Sequence, residues 1–95
     1  MKAIFVHLSG SKRGKTESFA DSKIGIGTDS TCNLRFNLLT DKNTSPLHAE
    51  INLKDCDYIL KDLDSSKGTF VNNRLIEEVV IHDGDLIEFG DNGPR

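Results

Sequence analysis

Three short polar segments hold the side chains best equipped for chemistry. Thr28, Asp29, Ser30, Thr31 and Asn33 crowd the stretch IGIGTDSTCNLRF; Ser45, Pro46 and His48 lie in TSPLHAEI; Ser65, Ser66 and Lys67 lie in DLDSSKGTFVN. Hydroxyls, amides and the N–H groups of tight turns are the donors that hold an oxyanion. The turn 28–33 nevertheless carries no arginine or lysine to neutralise one. Arg35 and Lys42 follow it, but nothing in the sequence sets the direction of either side chain. Catalysis is the weaker reading of these groups. Ser45, His48 and Asp62 match nucleophile, base and orienter by type, and Ser9-Gly10-Ser11-Lys12 matches a Ser-x-x-Lys pattern, yet neither sits in an activating strand-turn-helix context. Two Cys and three His without ligand spacing name no metal site, and no cofactor motif is present. The expectation is a binding protein that is not an enzyme and uses no metal or cofactor.

The elements that must position these segments are short strands. Residues 3–8 read as a strand, 9–15 as a basic hairpin tip and 16–20 as the returning strand. The stretch 24–36 reads as strand, turn and strand. AEINLK at 49–54 alternates apolar and polar with period two, the pattern of a half-buried antiparallel strand. A tight turn at 55–57 leads to a strand at 58–63, and further strands are expected at 69–71, 74–76, 79–81 and 86–89. Asn72-Asn73 and His82-Asp83-Gly84-Asp85 supply the turn chemistry between them. About ten to eleven short strands at regular spacing imply an all-β, two-sheet β-sandwich, whose loops gather at its ends and can join distant polar segments into one site.

At 95 residues the chain is a single domain, 1–95, with a thin core. A formal net charge of −3 with dispersed acidic residues provides no field for nucleic acid or an anionic membrane. The N-terminus MKAIFVHLSG is too short and too alternating for a secretory signal. Cys32 and Cys56 then read as reduced thiols in a cytoplasmic protein. The basic tip containing Lys12, Arg13 and Lys15 reads as solvated, contact with an acidic partner being its alternative.

Four motifs in order resemble the forkhead-associated family over nearly the whole chain. They are Ile26-Gly27 before the first polar turn, Ser45-Pro46-Leu47-His48 entering a strand, Asp62-Leu63-Asp64-Ser65-Ser66-Lys67-Gly68-Thr69-Phe70-Val71-Asn72, and Asp83-Gly84-Asp85-Leu86-Ile87-Glu88-Phe89-Gly90. The resemblance implies an eleven-stranded sandwich whose loops read phosphothreonine in partner proteins. It also implies a last strand after 91–95, so that the chain is the N-terminal part of something longer.

In that family an arginine follows the glycine and clasps the phosphate, with a serine from the second loop and a Ser or Thr from the third. An asparagine before Gly-Thr holds the peptide backbone. Here Thr28 takes the arginine's position and Lys67 the asparagine's, while Ser45 and Ser66 keep their hydroxyls. Thr28, Ser45, Pro46, Ser66 and Lys67 are therefore the binding positions. Gly27, His48, Ser65, Gly68 and Asn72 are their structural support, with His48 a buried brace and Asn72 a tie for the third loop. Ser45 and Ser66 serve equally well as turn caps. The leading expectation is a protein or peptide interaction module with phosphothreonine recognition weakened or lost. Its alternatives are a working phosphothreonine reader that uses Lys67 as its cation, and a module that self-associates through a sheet edge.

Overall fold

The computed structural model describes residues 2–90 and 93–94. Ten strands follow one another: β1 Ala3–Val6, β2 Thr16–Phe19, β3 Lys23–Gly27, β4 Leu34–Arg35, β5 Ala49–Lys54, β6 Asp57–Asp62, β7 Thr69–Val71, β8 Arg74–Ile76, β9 Glu78–Ile81 and β10 Ile87–Phe89. The expected strands are all present, with ends moved by one or two residues. β1 stops at Val6 instead of residue 8, and β6 begins at Asp57, which leaves a two-residue turn at Asp55-Cys56. The expected last strand lies outside the described residues, as do 91, 92 and 95 of the loop before it.

One sheet has the order β4-β3-β5-β6-β9, and its inner face explains the period-two pattern. Ile24 lies opposite Ile51, Ile51 opposite Leu60, and Leu60 opposite Val79, so one apolar row crosses four strands. Ile24, Ile51 and Leu60 are fully buried, and burial of such a side chain stabilises by about 1.5–3 kcal/mol. Among the described residues the opposing layer is in two pieces, β1-β2 and β10-β7-β8, and not one continuous sheet. Ala3, Val71 and Phe89 from those pieces close the core over the row. Asn72 and Asn73 both take positive φ, 52° and 69°, as the two-residue turn joining β7 and β8 requires.

Two features bring the polar segments to one end. β4 runs parallel to β3, with Gly27 opposite Arg35, because the turn 28–33 doubles back beside β3. Both strands thus finish at the same end of the sheet, where β5 starts and β6 finishes. The long segment 36–48 is pinned there by Asp41, which is 5% exposed. Its carboxylate accepts from the N–H of Ser11 at 3.0 Å, the N–H of Asn37 at 2.9 Å and the hydroxyl of Ser11, tying the β1–β2 tip to the segment that carries Ser45.

Truncation of Asp41 to alanine removes the charged acceptor that three part-buried hydrogen bonds share. Asp41→Ala should therefore lower stability by about 2–4 kcal/mol. Chemical denaturation would check this, and an unchanged midpoint would show that the segment holds its place without the carboxylate.

Candidate functional site

Gly27 ends β3 where another backbone passes against it. A Cβ at this position would stand 2.0 Å from the Pro46 carbonyl oxygen and 2.9 Å from that of Ser45, so only glycine admits the contact. Its neighbours lock it: Thr28 N–H donates to Ser45 O at 3.3 Å, and Asp29 N–H to Pro46 O at 3.0 Å. The first and second polar segments are thus zipped together by backbone. Asp29 holds the turn from within, accepting from both the N–H and the hydroxyl of Thr31. Those bonds keep its carboxyl below the ordinary range.

His48 joins the third segment to the other two. The Ser45 N–H donates to His48 Nδ1 at 2.9 Å, so that nitrogen is unprotonated, and Nε2–H donates to the Gly68 carbonyl at 2.7 Å. The ring is fully buried and edge-on to Phe89. Desolvation pushes its pKa down, outweighing the Gly68 bond and the Asp62 charge, which favour the protonated form. The 63–68 loop is further held by Asp62, whose carboxylate accepts from the Ser65 hydroxyl at 2.6 Å and the Thr69 hydroxyl at 2.7 Å. Gly68 takes φ 83°, with Leu75 packed where a Cβ would project. Ser45, His48 and Asp62 form no relay, since both ring nitrogens are committed to backbone.

This framework places Ser45 Oγ 3.3 Å from Ser66 Oγ, with the Ser66 N–H donating to Ser45 Oγ at 3.1 Å. Two hydroxyls so spaced can reach oxygens of one tetrahedral anion. Ser66 and Lys67 also line an open groove of about 830 Å³ with Phe70 and Leu75. Pro46 shows its ring to solvent while its carbonyl serves Asp29. Thr28 is different: its side chain is 4% exposed, and its hydroxyl is buried without a hydrogen-bond partner among the described residues. Asn72 lies at the end of β7 away from Gly68, where its amide donates to Asp85 and accepts from Leu86 N–H. It braces the 82–86 turn and not the third loop. The sequence reading passed over Asp41, and left undecided Arg35, whose Nε donates to the Thr28 carbonyl at 3.2 Å.

The geometry of His48 dictates a pH dependence. A ring whose folded pKa lies below its ordinary 6.5 binds fewer protons folded than unfolded. Its contribution is complete above about pH 6.5 and is lost as pH falls through the folded value. His48→Ala should cost about 1–3 kcal/mol at pH 7 and flatten this acid decline relative to the parent. Denaturant melts between pH 7 and pH 5 would measure both, and parallel curves for the two proteins would refute the assignment. Thr28→Val, which removes an unpaired buried hydroxyl at constant shape, should raise stability by about 1 kcal/mol in the same melts. A lowered midpoint would mean that the hydroxyl has a partner.

The family model for the FHA domain matches residues 24–90, which include all three polar segments. No curated protein sequence matches the chain. Among solved structures, one from a structural and functional analysis of phosphothreonine-dependent FHA domain interactions is 30% identical, with a TM-score of 0.81 over 95% of this chain and 88% of its own. The FhaA FHA domain, complexed with the intracellular domain of Rv3910, is also 30% identical, with a TM-score of 0.79 over 95% of this chain and 92% of its own. Mycobacterium tuberculosis EmbR, in complex with a low affinity phosphopeptide, is 25% identical with a TM-score of 0.77 over 93% of this chain, which spans 22% of that longer protein. With the family model covering most of its length and the fold shared throughout, the chain belongs to the forkhead-associated (FHA) domain family.

Proposed function

We propose that this domain docks a partner protein through its apical loops by reading a phosphothreonine-bearing segment, with weaker phosphate recognition than an arginine at position 28 would give. The observation that carries the reading is the Ser45–Ser66 hydroxyl pair, 3.3 Å apart and held from behind by His48. A scaffold of hydrogen bonds this specific is costly to assemble for two solvent-facing turn caps. Family membership supports it, as do similar domains solved with a phosphopeptide or with a partner's intracellular domain.

The weakening follows from charge. A guanidinium offers phosphate a planar fork, and each charge-assisted bond contributes about 1.5–3 kcal/mol, so two missing bonds cost roughly 10²- to 10⁴-fold in affinity. Lys67 restores part of this as a point charge on a flexible stem, but lacks the paired donor and acceptor of an asparagine amide.

A second reading, self-association, draws on one observation. Among the described residues β1 pairs only with β2, and Ile4, Val6 and Leu8 stand exposed along it. An unpaired edge with an apolar face suits a second copy. Mass that rises with concentration in the absence of any peptide would favour that reading.

The principal test titrates the domain with phosphothreonine peptide libraries and their unphosphorylated twins. Wild type should show weak, phosphate-dependent binding. Thr28→Arg should strengthen it where a melt shows the variant folded, since the Thr28 side chain is buried and the longer arginine must displace its surroundings to reach solvent. Adding Lys67→Asn should exceed the effect of either change alone, because the two groups share one ligand. A double variant with no phosphate dependence would sink the proposal, leaving Ser45 and Ser66 as architecture.

A further inference from the structure

The cation missing from position 28 has a counterpart one strand away. Arg35 follows the same turn, and the parallel pairing of β3 and β4 sets it directly opposite Gly27. Its Nε–H is spent on the Thr28 carbonyl at 3.2 Å, which fixes the side chain while leaving the terminal nitrogens of the fork. The guanidinium does not border the groove beside Ser66. It lines a separate open pocket of about 420 Å³, together with Lys12 and Lys15 of the β1–β2 tip and with Ser11 and Asn37.

Among the described residues no carboxylate lines that pocket. Three acidic groups among them lie near its lining, and each has other bonds. Asp41, behind the Ser11 and Asn37 backbones, accepts from both. Glu17 accepts from Lys12 at 3.2 Å and contacts His7 at 2.9 Å, so Lys12 arrives partly neutralised. Asp29 is held by Thr31, close enough for the Arg35 charge to act on its carboxyl but in no ion pair with it. Lys15 and Arg35 are exposed and make no ion pair among the described residues. A protein of net charge −3 thus gathers three cations around one concavity. The pocket adjoins the apical site through consecutive contacts: Arg35 to the Thr28 carbonyl, the Thr28 N–H to the Ser45 carbonyl, and the Ser45 hydroxyl to that of Ser66.

We propose that Arg35, Lys15 and Lys12 form a second anion subsite, which takes a phosphoryl or carboxylate group carried on the same partner segment that docks at Ser45 and Ser66. This rests on the reading of the apical loops as a peptide site. The partner it fits is a segment with a phosphothreonine and a further acidic group beside it. Arg35 supplies the planar fork suited to either oxyanion, and the lysines supply point charges. The subsite moves affinity from the first phosphate, which meets hydroxyls, to a second anion, which meets cations.

Two titrations test it. In the first, isotope-labelled protein receives inorganic phosphate at constant ionic strength and pH while its amide signals are followed. Residues 11–15 and 35–38 should shift, and should cease to do so in a variant carrying Lys15→Gln and Arg35→Gln. Shifts that are absent from those residues, or that persist in the variant, overturn the subsite. Both side chains are exposed, and a thermal melt confirms that the variant is folded.

In the second, phosphothreonine libraries are compared with and without a second phosphothreonine or paired aspartates beside the first. The doubly anionic peptides should bind wild type about 10-fold more tightly, and the variant should erase that advantage. A gain with the second phosphate alone identifies a phosphoryl ligand, and a gain with aspartates too identifies a general acidic one. Equal affinity for single and double peptides overturns the proposal. If phosphorylation of the first threonine has no effect, the apical reading fails, while the inorganic phosphate titration still decides the subsite.

Discussion

The neutral imidazole of His48 is the interaction on which the apical end depends. One residue makes four bonds to three segments: its N–H donates to Ile26 O, its carbonyl accepts from Leu63 N–H, Nδ1 accepts from Ser45 N–H and Nε2–H donates to Gly68 O. An imidazolium would have no acceptor for Ser45, and a side chain without two opposed nitrogens would leave one loop loose. Gly27 supplies the matching constraint, since only a missing side chain lets the Ser45-Pro46 backbone lie on the end of β3. Together they fix where Ser45 faces Ser66, and neither contributes an atom to the hydroxyl pair.

A site built in this way is rigid and polar but weakly charged. Hydrogen bonds from preorganised hydroxyls carry geometric specificity, whereas the cation would carry most of the attraction to a dianion. The domain separates these two properties in space. Its ordered hydroxyls lie along the seam between the second and third loops, with Lys67 beside them, and a cluster of three cations lies across the first turn, around the mouth of the β1–β2 tip. Arg35 belongs to both regions, touching the first turn through Nε and the basic concavity through the rest of its fork.

The sandwich was legible in the sequence wherever burial imposes a period. Alternation in AEINLK and in KIGIG follows from one face meeting the core, and Asn72-Asn73 marks a turn because both residues must take positive φ. The brace role of His48 was legible as well, from its place in the motif. What escaped was set by tertiary placement. Asp41 sits in a polar run that looks solvated, and in the fold it is buried where the β1–β2 tip meets that run. Asn72 ties the 82–86 turn and not the third loop, because a motif gives order along the chain and not which end of a three-residue strand meets which loop. Thr28 reads as a binding position in the arginine's place, yet its side chain is buried at the backbone zipper to Ser45 and Pro46.

The parallel pairing of β4 with β3 was the least legible element, and it has the largest consequence for charge. Two residues carry no period, and a six-residue connection is far shorter than parallel neighbours ordinarily require. Had β4 returned antiparallel, as short connections usually make strands do, it would have carried its chain away from the apical end. Because it runs parallel, Arg35 and the segment after it finish beside Thr28, and Asn37 meets Asp41 and the basic tip there. The turn 28–33 carries no cation of its own, and the direction of β4 places Arg35 at its edge, lining a different concavity.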